Sequence, residues 1–327
     1  MRRFTAAVVG LGQIGQGYDY DKTDDAFVLT HSQGFIHHYG FELIAGVDPD
    51  MTQCKRFEEK FRRPAYEDLQ ALMAHHQPEI FSIGVPTQKH YPVFCEIMLA
   101  KPRAVLCEKP IAASLSDARS MVEIAKSNRC SLLVNYMRRF EPGVLILKQI
   151  LQNKDFGEPY KGNVWYSKGM LNNGSHFLDL LRFLLGEVTQ IRVVQKGRRW
   201  DGADPEPDVC LDYGGIQVYF LSAREECFSI GEMALVCTKG LISYGESGSL
   251  IEARRVDPDD VYSCYTTLGQ KRESIPTDLN RYQWHVVDHL YHHLTRGAPL
   301  NSDGESALET LRVIIDIENA CGGEGCE

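Results

Sequence analysis

Nowhere in this 327-residue chain does an apolar run approach the ~20 residues that cross a bilayer, and Met1-Arg2-Arg3 leads straight into a strand-like run rather than a leader with a small-residue cleavage site. Neither a membrane span nor a secretory leader is expected, and the chain is expected to be cytoplasmic. Positive charge is also in deficit: 35 Lys and Arg face 44 Asp and Glu, for a formal net charge of −9. That balance removes the electrostatic term on which binding to nucleic acid or anionic membrane depends, and Arg2-Arg3, Arg62-Arg63 and Arg198-Arg199 stay scattered among acids. The ten cysteines form no C-x-x-C pair, and Cys95, Cys107, Cys210 and Cys237 stand in apolar stretches, like buried thiols of a reducing compartment. Cys321 and Cys326, in a glycine-rich tail, are assigned to a frayed terminus. There is no internal repeat or low-complexity tract. A metal is not expected: His285, His289, His292 and His293 recur at helical spacing, but Asp288, the acid beside them, is placed on a different face.

What is present is alternation. Phe4 to Val9, Glu42 to Val47, Ile80 to Gly84, Ala104 to Cys107 and Ser131 to Val134 are short apolar runs, with helix-like stretches at 91–101 and 116–127 between the later ones. Strands of that kind, interleaved with helices, predict a doubly wound parallel sheet. After Arg138 the rhythm changes. A helix over 142–153 is followed by strands at 160–166, 191–194, 209–213, 216–221, 233–238 and 240–244, with Gly214-Gly215 and Lys239-Gly240 as turns. These predict a mostly antiparallel sheet, and helices are expected over 283–296 and 305–319. The expected architecture is α/β: a Rossmann domain over 1–137 and an α+β domain over 138–327.

Gly10-Leu11-Gly12-Gln13-Ile14-Gly15 follows the first strand. In a dinucleotide fingerprint the first glycine makes the tight turn, the second admits the pyrophosphate, and the third lets helix pack on strand. Asp48, closing the second strand, is the expected acceptor for the adenosine ribose hydroxyls. It would repel a 2′-phosphate, and Pro49-Asp50 offers no cation, so NAD is expected over NADP, although Lys55 and Arg56 lie a turn later. The acid comes later than the usual spacing of ~20 residues after the glycines, so an insert is expected over 16–30. It could cap the cofactor, touch substrate, or be a surface excursion or interface element. Farther on, Glu108-Lys109-Pro110 leaves a parallel strand where such sheets bind ligands, and Pro110 keeps Lys109 out of helical geometry. Partly desolvated, that ammonium can serve as acid or base.

Together with Val85-Pro86-Thr87, His90 and Asn135-Tyr136-Met137-Arg138-Arg139-Phe140, these motifs resemble those of the Gfo/Idh/MocA oxidoreductases. The resemblance implies hydride transfer between a nicotinamide cofactor and a hydroxyl or carbonyl of a sugar, inositol or sugar derivative. It also implies a Lys-Pro bond that is often cis, and an open C-terminal sheet through which the chain forms homodimers or homotetramers. It implies Lys109 as catalytic lysine and His176 as substrate-side histidine, with Gly10, Gly12, Gln13, Ile14, Gly15, Asp48, Pro86, Thr87, His90, Glu108, Pro110 and Asn135 around the cofactor. The family's usual aspartate four residues before that histidine is Asn172 here, which can bond a hydroxyl but cannot take its proton. Asn172 and Asn173 are expected to orient substrate hydroxyls, Lys168 to meet an anionic substituent, and Asp179 to neighbour the substrate or position its helix. Because of Asn172, two other functions stay open: an NAD-binding sensor or partner subunit without turnover, and a lyase or glycosidase that uses NAD transiently.

Overall fold

The computed structural model describes residues 2–22, 25–262 and 264–322. By their internal contacts, residues 1–140 and 280–309 form one compact unit, and 141–279 and 310–327 a second.

In the first unit the strands β1 (Phe4–Val9), β2 (Phe41–Val47), β3 (Ala65–Tyr66), β4 (Ile80–Ile83), β5 (Ala104–Cys107) and β6 (Ser131–Val134) form a parallel sheet in the order β3-β2-β1-β4-β5-β6. Their runs lack polar alternation because the sheet is covered on both faces, and every residue of β4 and β5 is buried. Helices α1 (His31–His37), α2 (Met51–Phe61), α3 (Leu69–His75), α4 (His90–Ile97) and α5 (Leu115–Ser127) connect them. The sequence leaves α2 and α3 unassigned. The apolar stripe of α2 is only Cys54, Phe57 and Phe61 among polar residues, and its start is fixed by Asp50, whose carboxylate accepts from Thr52 N.

The second unit opens with α6 (Pro142–Asn153). A nine-stranded sheet follows: β7 (Pro159–Tyr166), then, after α7 (Ser175–Leu185), β8 (Gln190–Trp200), β9 (Asp204–Asp212), β10 (Gln217–Ser222), β11 (Gly231–Cys237), β12 (Gly240–Gly245), β13 (Leu250–Pro258), β14 (Thr266–Leu268) and β15 (Glu273–Ile275). Its order is β14-β13-β12-β11-β7-β10-β9-β8, with β15 on β13; the β7–β10 pair is parallel and the other pairs antiparallel. Alternate residues of the central strands, among them Val164, Tyr166, Phe220, Leu235 and Ile242, share a core with Leu147 of α6 and Phe177 and Leu181 of α7. On β7 the opposite face carries Lys161, Asn163 and Trp165, and Trp165 is 41% exposed. The β8–β9 hairpin runs far beyond its expected ends, through residues with no apolar alternation, carried past two register irregularities by backbone pairing and by the cross-strand Arg198–Glu206 ion pair at 2.8 Å.

The chain then rejoins the first unit with α8 (Tyr282–Arg296), and α9 (Gly304–Gly322) ends the described chain. The apolar face of α8, Val286, Val287, Leu290 and Tyr291, completes the cluster of Phe4, Phe35, Phe41 and Leu43. Asp288, placed off the histidine face by sequence, bonds His38 Nε2 at 3.1 Å and lies 3.5 Å from His292 Nε2, one turn on. His289 and His293 bond Asn301 N and Ser131 Oγ, and no group of three or more potential metal-ligating side chains occurs among the described residues. Cys326 lies outside those residues; the nine described cysteines are free thiols.

Candidate active site

Where β1 ends, Gly10 N–H donates to Val47 O and Gly84 N–H to Val9 O, both at 2.8 Å, drawing the ends of β1, β2 and β4 together. Gly10 has φ +93°, and a Cβ there would stand 2.6 Å from the carbonyl carbon of Gly84. A Cβ on Gly15 would stand 2.0 Å from Gly10 O, whereas nothing lies within 4 Å of one on Gly12. Gly12 therefore leaves open backbone toward a cleft of about 510 Å³ lined by Gly10, Asp48, Glu67, Asp68, Pro86 and Lys89, among others. Asp48 Oδ2 accepts from Leu11 N at 2.7 Å and Oδ1 from Asp50 N at 2.9 Å. The glycine turn thus holds the carboxylate in place, while each oxygen keeps accepting capacity for a ribose hydroxyl. This open backbone, the fixed acid and an apolar wall of Val47, Leu69, Val85 and Val93 fit a dinucleotide.

The helix after the fingerprint is cut short. Gln13–Gly17, with exposed Gln13 and half-buried Ile14, forms a single π-helical turn, and the helix resumes only at His31. Between them the insert is fastened inward. Asp19 is 1% exposed and accepts from Leu29 N (2.7 Å), Thr30 N (3.0 Å) and Thr30 Oγ1 (2.7 Å). Lys60 donates to the carbonyls of Asp19, Tyr20 and Lys22, and Arg56 stacks 4.2 Å from the centre of the Tyr20 ring. These contacts fasten the insert inward at Asp19 and Tyr20, while Tyr18, Asp21, Lys22, Asp25 and Ala26 are exposed; Thr23 and Asp24 of the insert lie outside the described residues.

Glu108-Lys109-Pro110 leaves β5 with a cis Lys109–Pro110 bond and a half-buried Lys109. Glu108 Oε1 bonds His31 Nε2 at 3.0 Å and accepts from Asn135 Nδ2 at 2.6 Å. Burial pushes the Glu108 carboxyl up, but the bonds from His31 and Asn135 and the charge of Lys109 together hold it below the usual range. Asn135 Nδ2 also donates to Gln283 Oε1, at 3.0 Å, and its Oδ1 is buried without a protein partner. His90 differs from expectation. Its Nδ1 lies 2.9 Å from Pro110 O and its Nε2 3.0 Å from Val85 O, so no ring nitrogen remains for a cofactor. Burial also pulls its pKa down, despite those carbonyls. His90 clamps the Pro110 turn to the loop that carries Pro86 and half-buried Thr87.

In the second unit, Lys168 and Gly169 take positive φ (64° and 80°) and start a π-helical turn, Gly169–Gly174, that runs into α7. Asn172 and Asn173 lie on this turn and His176 just after it. Asp204, which the sequence did not single out, accepts from Leu171 N at 2.9 Å and Asn172 N at 2.8 Å, so a carboxylate supports the turn where the family aspartate is missing. Lys168 Nζ lies 3.3 Å from Glu225. Asp179 is buried and accepts from Thr310 Oγ1 at 2.9 Å, which suits fixing α7 rather than meeting a substrate. His31 and Gln283 were missed as well. Their only local signals are the cap Thr30, which accepts from Gln33 N, and a place at the start of a helix.

A glycine turn, an anchored acid and a lysine turn on one parallel sheet define a candidate dinucleotide-binding domain. Residues 4–136 match the model of an oxidoreductase family with an NAD-binding Rossmann fold, the Gfo/Idh/MocA family. The chain is 24% identical over 209 residues to D-apiose dehydrogenase of Paraburkholderia graminis, a match covering 58% of this chain and 52% of that protein. It spans about half the length of the curated relatives it matches. The fold recurs in a protein from Desulfitobacterium hafniense provisionally classed as an NADPH-dependent oxidoreductase (TM-score 0.81, 17% identity, 98% and 96% of the two chains). It recurs also in WlbA dehydrogenase of Bordetella pertussis, solved with NADH and UDP-GlcNAcA (TM-score 0.77, 18% identity, 98% and 96%).

Proposed function

We propose that the protein is an NAD-dependent dehydrogenase acting on a CH–OH group of a sugar, inositol or sugar derivative. The observation that carries this is the cleft in which the open backbone at Gly12 and the anchored Asp48 lie at the ends of parallel strands. Gly10, Gly12, Gly15, Asp48, Pro86 and Thr87 would hold the dinucleotide, which when bound supplies a hydride acceptor or donor. Lys109, leaving the same sheet, takes the proton of the substrate hydroxyl during oxidation and returns it during reduction. His176, Asn172 and Asn173 are the substrate-side groups of the second unit. The preference for NAD is supported by four carboxylates lining the cleft, Asp48, Glu67, Asp68 and Glu96, against the single cation Lys89, and by the engagement of Arg56 with Tyr20. Trp165 and Val194, exposed on the second sheet, support self-association into a homodimer or homotetramer, and the free thiols support a cytoplasmic location.

The test is reduction of NAD at 340 nm with D-apiose, myo-inositol and UDP-GlcNAcA as probes. Turnover with at least one is expected, lost in Lys109→Ala while NADH still binds. Full activity of that variant refutes the role of Lys109. Cofactor that stays bound and is recycled without net NADH would point instead to the lyase or glycosidase.

A further inference from the structure

Four side chains from four separate stretches of the first unit close a ring around the acid next to Lys109. Glu108 Oε1 lies 3.0 Å from His31 Nε2 and 2.6 Å from Asn135 Nδ2; Asn135 Nδ2 lies 3.0 Å from Gln283 Oε1; Gln283 Nε2 lies 2.9 Å from His31 Nδ1. His31, Asn135 and Gln283 are buried. The donors and acceptors leave one arrangement. Ionised Glu108 only accepts, so Asn135 presents its amide nitrogen to it. The second hydrogen of that nitrogen goes to Gln283, which must answer with its carbonyl oxygen. The Gln283 amide nitrogen is then turned to His31 Nδ1, which accepts, and the His31 proton sits on Nε2, aimed at Glu108. Flipping either amide sets donor against donor or acceptor against acceptor.

We propose that His31 and Gln283 are positioning residues for Lys109, acting through Glu108; the proposal rests on the dehydrogenase function above. By fixing one Glu108 oxygen they keep the other beside the Lys109 backbone N–H, 3.3 Å away, so the turn that presents the lysine holds one conformation. The insert is what delivers His31. Asp19 fixes Thr30, the cap of α1, while Val28 N–H donates to Asn280 O at 2.8 Å and Gln283 N–H to Val28 O at 3.1 Å. The insert thereby acts on the lysine turn through protein contacts, with no contact to a ligand required.

The test uses the full chain. In long-range ¹H–¹⁵N spectra of ¹⁵N-histidine-labelled protein, His31 should show the Nε2-protonated tautomer. In Gln283→Glu it should become an imidazolium, because a carboxylate facing Nδ1 needs a proton there. Kinetics follow with NAD and whichever of the three probes turns over. His31→Leu should lower kcat roughly 100-fold, with the NADH Kd changed by less than about threefold, as expected when a reacting group is displaced by ~1 Å. His31→Gln, which keeps a donor for Glu108 and an acceptor for Gln283, should restore most of that loss. An Nδ1-protonated His31 in the wild type overturns the ring, and wild-type kcat in His31→Leu, or equal loss in the Leu and Gln variants, overturns the positioning role. If none of the probes reduces NAD, the dehydrogenase function fails while the nitrogen spectra still decide the ring.

Discussion

Asp19→Ala is the perturbation that best separates a fastened insert from a loose one. The carboxylate takes three hydrogen bonds at 2.7 to 3.0 Å, and one of its donors, Thr30, is fully buried. Hydrogen bonds to a charged group contribute about 1.5–3 kcal/mol each, and a stranded buried N–H costs ~1–3 kcal/mol. These contributions overlap, and half-buried Leu29 can turn to water, so the net loss should be about 3 kcal/mol. For a unit of this size that lowers Tm by roughly 6–12 °C. Asp19→Asn keeps an acceptor for both N–H groups and loses chiefly the charge assistance, about 1 kcal/mol. Calorimetry on the two variants, with amide exchange at Thr30 and Gln33, measures both effects. An Asp19→Ala protein melting within about 1 °C of wild type, or an Asn variant as damaged as the Ala variant, would refute the reasoning.

Other outcomes follow from the same geometry. NADH should bind more tightly than NADPH, and Asp48→Ala should weaken NADH by at least about tenfold, ~1.4 kcal/mol, and narrow the preference; fluorescence titration in which NADPH binds better to the wild type contradicts this. Trp165→Asp should move the protein from oligomer to monomer in light scattering after gel filtration, and a monomeric wild type removes the basis for that interface. Although burial opposes it, the folded-state pKa of Glu108 is lowered, so its contribution to stability is present above the ordinary glutamate value and is lost as pH falls through the folded value. The stability gap between wild type and Glu108→Gln, from urea unfolding, should therefore be largest near pH 7 and shrink below about pH 4. A gap that does not vary with pH contradicts the assignment.

Five of the six strands of the first unit are legible, all but the two-residue β3, because both faces of a parallel sheet are covered, which leaves runs such as Phe4 to Val9 without polar alternation. The second unit was legible in outline for the opposite reason. One face of its sheet is exposed, so the strands from β7 to β12 alternate; the ends of the β8–β9 hairpin, where alternation fails, are not legible, and neither are the outer strands β13, β14 and β15. Helix α2 is not legible because its apolar stripe is sparse, and the place of His90 is not legible because sequence cannot show that two carbonyls hold its ring.

The sequence by itself determined the features that depend on neighbours along the chain: the glycine turn, the acid that ends β2, and a lysine held before a proline. Tertiary structure decided what depends on distance in sequence. It carried 280–309 back to the first unit, because the apolar face of α8 completes the core around Phe4 and Phe41. It set Asp204 under the turn that bears Asn172, and closed His31, Glu108, Asn135 and Gln283 into a ring whose members share no local pattern. Hydrogen bonds between side chains depend on proximity in space, and only the packed sheet and helices supply it.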